Sequence, residues 1–344
     1  MKFNIICKLK REYTMKNEES PIPGAIDLAS ESLSSKVIEA TDDFFASKDN
    51  LIKSTPPIFI PDKYTENGKW MDGWESRRKR TKGHDWCIVR LGLPGSIQGI
   101  NIDTTHFRGN HPPFASIDAC ICPNDNPGPT SVWHEILSLS ALKPDANNLF
   151  LINSAEKCNY THVRLNIFPD GGVARLRIYG SVVLSEYHMK PDLIDVIGFG
   201  QGGKVLACSD AFFSPMQNLI LPTEPRNMGE GWETRRKRHA GNDWVIIQAA
   251  KEAQAAKVEL STSFFKGNYP DSFQLMYCHQ PETKLETLLE SESIWQPLIP
   301  QTKLKPDYLH SFEQVPLSPF THLKLNTYPD GGVARLRVYG QFLV

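Results

Sequence analysis

The feature that most constrains this chain is that most of it is written twice. Asp72-Gly-Trp-Glu-Ser-Arg-Arg-Lys-Arg80 returns as Glu230-Gly-Trp-Glu-Thr-Arg-Arg-Lys-Arg238, and both copies run on to an Asp-Trp pair, Asp85-Trp86 and Asp243-Trp244. Phe107-Arg-Gly-Asn110 returns as Phe265-Lys-Gly-Asn268. The segment from Thr161-His162 to Gly180 returns from Thr321-His322 to Gly340, with Pro-Asp-Gly-Gly-Val-Ala-Arg-Leu-Arg identical in both. Upstream, Lys36-Val37, Phe44-Phe45 and Asn50-Leu-Ile52 match Lys204-Val205, Phe212-Phe213 and Asn218-Leu-Ile220. Blocks repeated in one order mean a duplicated structural unit. A length of 344 residues suits two units of roughly 150, each with its own core. The expected organisation is a flexible leader over residues 1–24, repeats over 25–184 and 192–344, and a polar linker over 185–191.

Each repeat reads as β. Asp85-Trp-Cys-Ile-Val-Arg-Leu91 and Asp243-Trp-Val-Ile-Ile-Gln248 are short β-branched runs, and Val163 to Phe168 ends at the turn signal Pro169-Asp-Gly-Gly172. Beyond it Val173, Arg175, Arg177 and Tyr179 alternate with Ala174, Leu176 and Ile178, the period of a strand. Short strands with Pro- and Gly-rich turns, and no regular helix-strand alternation, predict an all-β chain of two tandem antiparallel jelly-roll sandwiches. Helix is expected only near residues 43–51 and 284–292.

Composition excludes several classes. With 40% hydrophobic and 22% charged residues the chain is too apolar for disorder, and no apolar run approaches the roughly 18 residues that cross a bilayer. The formal charge of −1 gives no global attraction to nucleic acid. The tetrad Arg77-Arg-Lys-Arg80 and its twin therefore read as solvated or salt-bridged faces. Seven cysteines, odd in number and without a CxxC pair, read as buried or free thiols of a reducing compartment. The N-terminus lacks a secretory h-region, and a cytoplasmic protein is expected.

Taken together, Gly-Trp-Glu-[Ser/Thr]-Arg-Arg, then Ile-Asp-Thr-Thr-His-Phe-Arg-Gly-Asn-His, then Pro-Asp-Gly-Gly-Val-Ala-Arg-Leu-Arg is similar to the allantoicase family, over essentially residues 25–344. The resemblance implies galactose-binding-like jelly rolls and a hydrolase that converts allantoate and water to ureidoglycolate and urea. The rival class is a non-catalytic tandem module binding carbohydrate or another small ligand, which fold alone does not separate from an enzyme. A chain with nothing left over after its two repeats favours the enzyme. The expected partners are the small-molecule substrate and further copies of the chain, with no nucleic acid and no membrane.

Allantoate carries one carboxylate and two ureido groups, so its site needs a cation, amide-like partners, an acid and a base. The repeats disagree where chemistry is needed only once. Asp103, His106 and His111 align with Ser261, Phe264 and Tyr269, which makes them catalytic candidates together with Glu75 beside Trp74. Arg77, Arg78, Thr105, Asn110 and Arg175 are the candidates for binding substrate. The competing reading of Glu75, Arg77 and Arg175 is structural, because Glu233, Arg235 and Arg335 repeat them; carboxylates such as Asp170 would then hold the strand arginines. Asp103, His106 and His111 also have the donor types for a divalent metal. Their loop spacing is not that of a tight metal motif, so no cofactor is assigned and a divalent metal stays open. Residues 61–69, an insertion peculiar to the first repeat, read as a lid, a subunit contact or a tolerated insertion.

Overall fold

The computed structural model describes residues 21–22, 25–153, 158–183, 193–313 and 315–343. The expected linker and, except for residues 21–22, the expected leader lie outside them. The chain divides into two compact units, Ser20–Val183 and Leu184–Val344. The first holds β1 (Ile26–Asp27), β2 (Lys36–Ala40), β3 (Tyr64–Thr65), β4 (Gly68–Lys69), β5 (Trp74–Glu75) and β6 (Asp85–Asp103). It continues through β7 (Phe114–Cys120), β8 (His134–Ala141), β9 (Asn147–Leu151), β10 (Tyr160–Phe168), β11 (Gly172–Val173) and β12 (Arg175–Val182).

The organising element is β6, which is 19 residues long where the sequence predicts a short strand ending near Leu91. Its first part, Asp85 to Arg90, pairs with β10, and Cys87 to Arg90 also with β2. Its second part, Gly95 to Asp103, pairs with β12, and Gly99 to Asp103 also with β9. The ladder to β10 slips between Arg90 and Gly95, and irregularities of this kind bend a strand from one layer into the next. Gly92 sits in that bend because a Cβ there would lie 2.1 Å from the Leu33 carbonyl oxygen. The result is a sandwich of two antiparallel layers, β2-β6-β10-β7-β8 facing β9-β6-β12-β1. Between them lie Val89, Val163, Leu165, Ile167 and Ile117 from one layer and Ile100, Ile102, Leu176 and Ile178 from the other, all but unexposed.

The second unit repeats this plan with β13 (Ile194–Asp195), β14 (Lys204–Cys208), β15 (Trp232–Glu233), β16 (Asp243–Ser261) and β17 (Ser272–Cys278). It closes with β18 (Gln296–Lys303), β19 (Leu309–Phe312), β20 (Pro319–Tyr328), β21 (Gly332–Val333) and β22 (Arg335–Phe342). Its strand order, β13-β22-β16-β20-β17-β18 with β14 and β19 also on β16, is that of the first unit. Both repeats are therefore the jelly-roll sandwiches expected of a duplication. The helix expected near residues 43–51 is instead a 3-10 turn, Lys48–Ile52. The one near residues 284–292 is a six-residue helix, Leu285–Glu290, followed by a 3-10 turn.

The final strand departs from the expected polar face. Ala174, Leu176 and Ile178 are unexposed as the alternation predicts, but Arg175 and Arg177 are buried too. Arg175 donates to the Asp72 carboxylate at 2.7 Å and to the carbonyls of Thr55, Asp72, Ala174 and Pro56. Arg177 donates to Asp27 at 3.3 Å and to the Lys53 carbonyl. The expected partner Asp170 instead accepts the Lys79 backbone N–H. Burial pushes the Asp72 carboxyl up, but hydrogen bonds from Arg175, the Ile58 amide and Lys53 outweigh it and hold the group below its usual range. Arg175 is thus an internal pin with its donors committed, which corrects its expected role in binding substrate.

Candidate active site

A buried anchor sets the edge of the site. Trp74 is fully buried and its indole N–H donates to the Asp42 carbonyl at 2.8 Å. β5 then pairs with β11, Glu75 opposite Gly172, and Glu75 also bridges to Ala46. Gly172 in turn donates its N–H to the Asn110 carbonyl at 2.7 Å, and a Cβ on Gly172 would lie 2.0 Å from the Phe107 ring. Only glycine lets the turn close on the Phe107–Asn110 loop, and that closure brings Asn110 to Glu75.

The loop after β6 is shaped by its own side chains. Asp103 Oδ1 accepts the Thr105 N–H at 2.8 Å, and the Phe107 N–H closes a turn on the Thr104 carbonyl. His106 follows with φ 70°, a left-handed conformation a non-glycine residue holds only with support. Asp145 gives that support by accepting the His106 N–H at 2.8 Å.

These segments enclose a cavity of about 470 Å³ lined by Phe45, Phe59, Lys69, Met71, Glu75, His106, Arg108, Gly109 and Asn110. Glu75 Oε1 accepts the Asn110 side-chain N–H at 2.7 Å. Burial raises the Glu75 carboxyl above its ordinary value, only partly opposed by the Asn110 hydrogen bond. The His106 ring packs on Phe59 at 5.6 Å between centroids, with Nε2 3.3 Å from the Pro57 carbonyl oxygen. A carbonyl only accepts, so this contact favours the proton on Nε2 and makes Nδ1 the acceptor of the ring. Lys69 lies over Phe59, its amine 4.6 Å from the ring centroid, with no carboxylate partner among the described residues. Arg108 is exposed and its Nε donates to Asp145 at 2.9 Å.

Of the nine residues proposed from sequence, the cavity gathers Glu75, His106 and Asn110. Asp103, Thr105, His111, Arg77, Arg78 and Arg175 do not line it. Asp103 is buried as a turn cap, and Ser261 keeps that role in the second repeat by accepting the Ser263 N–H. Its difference between copies is therefore a change of cap. His111 keeps Nδ1 enclosed without a hydrogen-bond partner. Arg77 already grips a carboxylate, Asp42, through Nε at 2.7 Å and Nη2 at 2.6 Å, and Arg235 grips Asp210 identically. Among the described residues no group of three or more His, Cys, Asp or Glu side chains is arranged to hold a metal. Asp103, His106 and His111 do not fit such a centre.

Six lining residues were not singled out from sequence, among them Lys69, Arg108 and Phe59. Lys69 belongs to the insertion, which forms the hairpin β3–β4 and is tied down where Asn67 donates to the Phe44 carbonyl at 2.8 Å. The signal was there: a segment found in one repeat, next to Asp72-Gly-Trp-Glu. In the second repeat Asn268 again bonds Glu233, but Phe264 replaces His106 and the Met228 sulfur lies 3.8 Å from Asn268 Nδ2. The cavity of the first repeat is lined by both the carboxyl and an imidazole, whereas the second has a phenyl ring at the imidazole's position.

The model of the allantoicase repeat matches residues 26–183 and again 194–343. A probable allantoicase of Burkholderia mallei is 43% identical over 92% of this chain and 94% of its own length. One of Photobacterium profundum is 45% identical over 92% and 96%. A crystal structure of allantoicase from Saccharomyces cerevisiae covers 98% of both chains at 33% identity, with a TM-score of 0.78. On this evidence the chain belongs to the allantoicase family.

Proposed function

We propose that the chain is an allantoicase, a hydrolase that splits allantoate and water into ureidoglycolate and urea, and that the cavity of the first repeat is its active site. The observation that carries the site is that a desolvated carboxyl, Glu75, and an imidazole, His106, line one cavity in a member of this family. The binding-module reading is less supported, because relatives matched over nearly the whole chain are named as allantoicases.

Allantoate's methine carbon bears two nitrogens and a carboxylate. Protonating one ureido nitrogen lets urea leave while the other nitrogen pushes its electron pair inward. Glu75, whose burial favours the protonated form, supplies that proton. Water adds to the resulting iminium carbon as His106 Nδ1 accepts its proton. Asn110 holds Glu75 in position, and Lys69 and Arg108 meet the substrate carboxylate.

Cys87, Cys120, Cys122 and Cys278 are buried thiols, with burial pushing Cys120 to about 11 and Cys278 to about 12, which supports a reducing cytoplasmic setting. Leu149 and Leu151 stand exposed on the edge strand β9, which supports a homo-oligomer.

The test is to incubate purified protein with allantoate in ¹⁸O-water and quantify products. Urea free of label, with label in the ureidoglycolate hydroxyl, is the expected result. Ammonia as first product, or label in a carbonyl product, would mean attack on a ureido carbonyl and would overturn the mechanism.

A further inference from the structure

The two repeats bury matched arginine pairs on their last strands, and only one repeat gives its pair a full set of internal carboxylates. Arg335 stands opposite Ser261 as Arg175 stands opposite Asp103. The backbone around them repeats as well. Arg335 donates to the carbonyls of Thr223 at 2.7 Å, Glu230 at 2.5 Å and Ala334 at 2.7 Å. Arg175 donates to Thr55, Asp72 and Ala174 in the same way. Arg337 donates to the Leu221 carbonyl as Arg177 does to that of Lys53.

The side chains differ. In the first repeat the Asp72 carboxylate meets Arg175 at 2.7 Å and Lys53 at 3.0 Å. In the second, Glu230 takes that position and its longer side chain turns away, bonding Arg226 through Nε at 2.7 Å and the backbone N–H at 2.8 Å. Leu221 replaces Lys53. Arg335 Nη2 and Arg337 Nη1 are then enclosed without a hydrogen-bond partner, in side chains of residues only 3% and 9% exposed. Asp195, facing Arg337, lies 3.7 Å away. Burial, with the neighbouring Arg337 charge, pulls Arg335 down to about 10 despite Glu224 and Glu230. A buried cation without a close counter-charge is strongly disfavoured.

We propose that the second repeat binds a small inorganic anion of halide size at Arg335 Nη2, the position at which the first repeat sets the carboxylate of Asp72 against Arg175 Nη2. Burial of Arg335 and of its neighbour Arg337 leaves no open path for a larger molecule and makes the ion structural rather than a substrate.

The test is thermal unfolding of the full chain in sodium chloride or bromide against sodium gluconate at equal ionic strength. A halide at 100 times its Kd is expected to raise the midpoint by about 5–10 °C. Glu230→Asp restores a carboxylate of first-repeat reach, and should raise the midpoint in gluconate while abolishing the halide increment. Crystals soaked in bromide should give an anomalous peak within hydrogen-bond reach of Arg335 Nη2. Absence of a halide increment in the wild type, an equal increment in Glu230→Asp, or no bromide peak there overturns the proposal. Should the variant fail to fold, the wild-type increment and the bromide peak decide.

Discussion

Glu75→Gln separates chemistry from architecture, because the structure predicts that activity and stability move in opposite directions. Glutamine keeps an oxygen that can accept from Asn110, now held at 2.7 Å, so the loop contact survives while the transferable proton is lost. A general acid contributes roughly 10²–10⁴-fold, which at about 1.36 kcal/mol per decade is roughly 2.7–5.4 kcal/mol of barrier. Most of the loss should fall in kcat. Stability follows from the raised carboxyl. A carboxyl whose folded-state value is raised stabilises the fold at low pH. That contribution is lost as pH rises from the unfolded value through the folded one. Glutamine carries no such charge to desolvate, so the variant should melt at or above wild type at neutral pH. Initial rates of urea release across pH, with melting curves on the same samples, measure both. The wild-type rate should fall on the alkaline side as Glu75 ionises, and that limb should be missing from the variant. Activity within a few-fold of wild type, or a melting point that falls along with activity, would refute the assignment.

His106→Phe gives the first repeat the residue that the second already carries at the same left-handed φ of 70°. It should keep the wild-type melting point and lose at least ~10² in kcat, whereas Phe264→His should leave urea release unchanged. Lys69→Ala should raise KM for allantoate with a smaller change in kcat, since an interaction made equally in ground and transition states weakens binding alone; steady-state kinetics check this. Asp72→Ala strands the buried Arg175 and should cost about 3–5 kcal/mol, read as a lower denaturation midpoint, with KM of the folded fraction unchanged.

The duplication and its strand-and-turn pattern made the fold legible, because buried alternation such as Val163, Leu165, Ile167 leaves one face for the core. The length of β6 was hidden, since its bend at Gly92 depends on a close approach to Leu33 from a distant segment. Comparison of the repeats singled out His106, which lines the cavity, and Asp103, which does not, without a way to tell them apart. A cap that changes from Asp to Ser and a ring that changes from His to Phe look alike as letters. Arg77 and Arg175 read as binders because their partners, Asp42 and Asp72, lie 35 and 103 residues away. Lys69 was passed over because an insertion carries no repeat to be compared with.

One strand shared by both layers has a consequence for how each unit opens. Peeling back either sheet strips hydrogen bonds from β6 or β16, and the loss is felt at once by the sheet on the other side. The layers are thus hinged on a common spine, and neither can fray while its partner stays intact. Amide protons along the whole spine are then released in one concerted event. Solvent exchange would register each sandwich as one cooperative block, leaving loops such as the β3–β4 hairpin to move beside the cavity without loosening the frame.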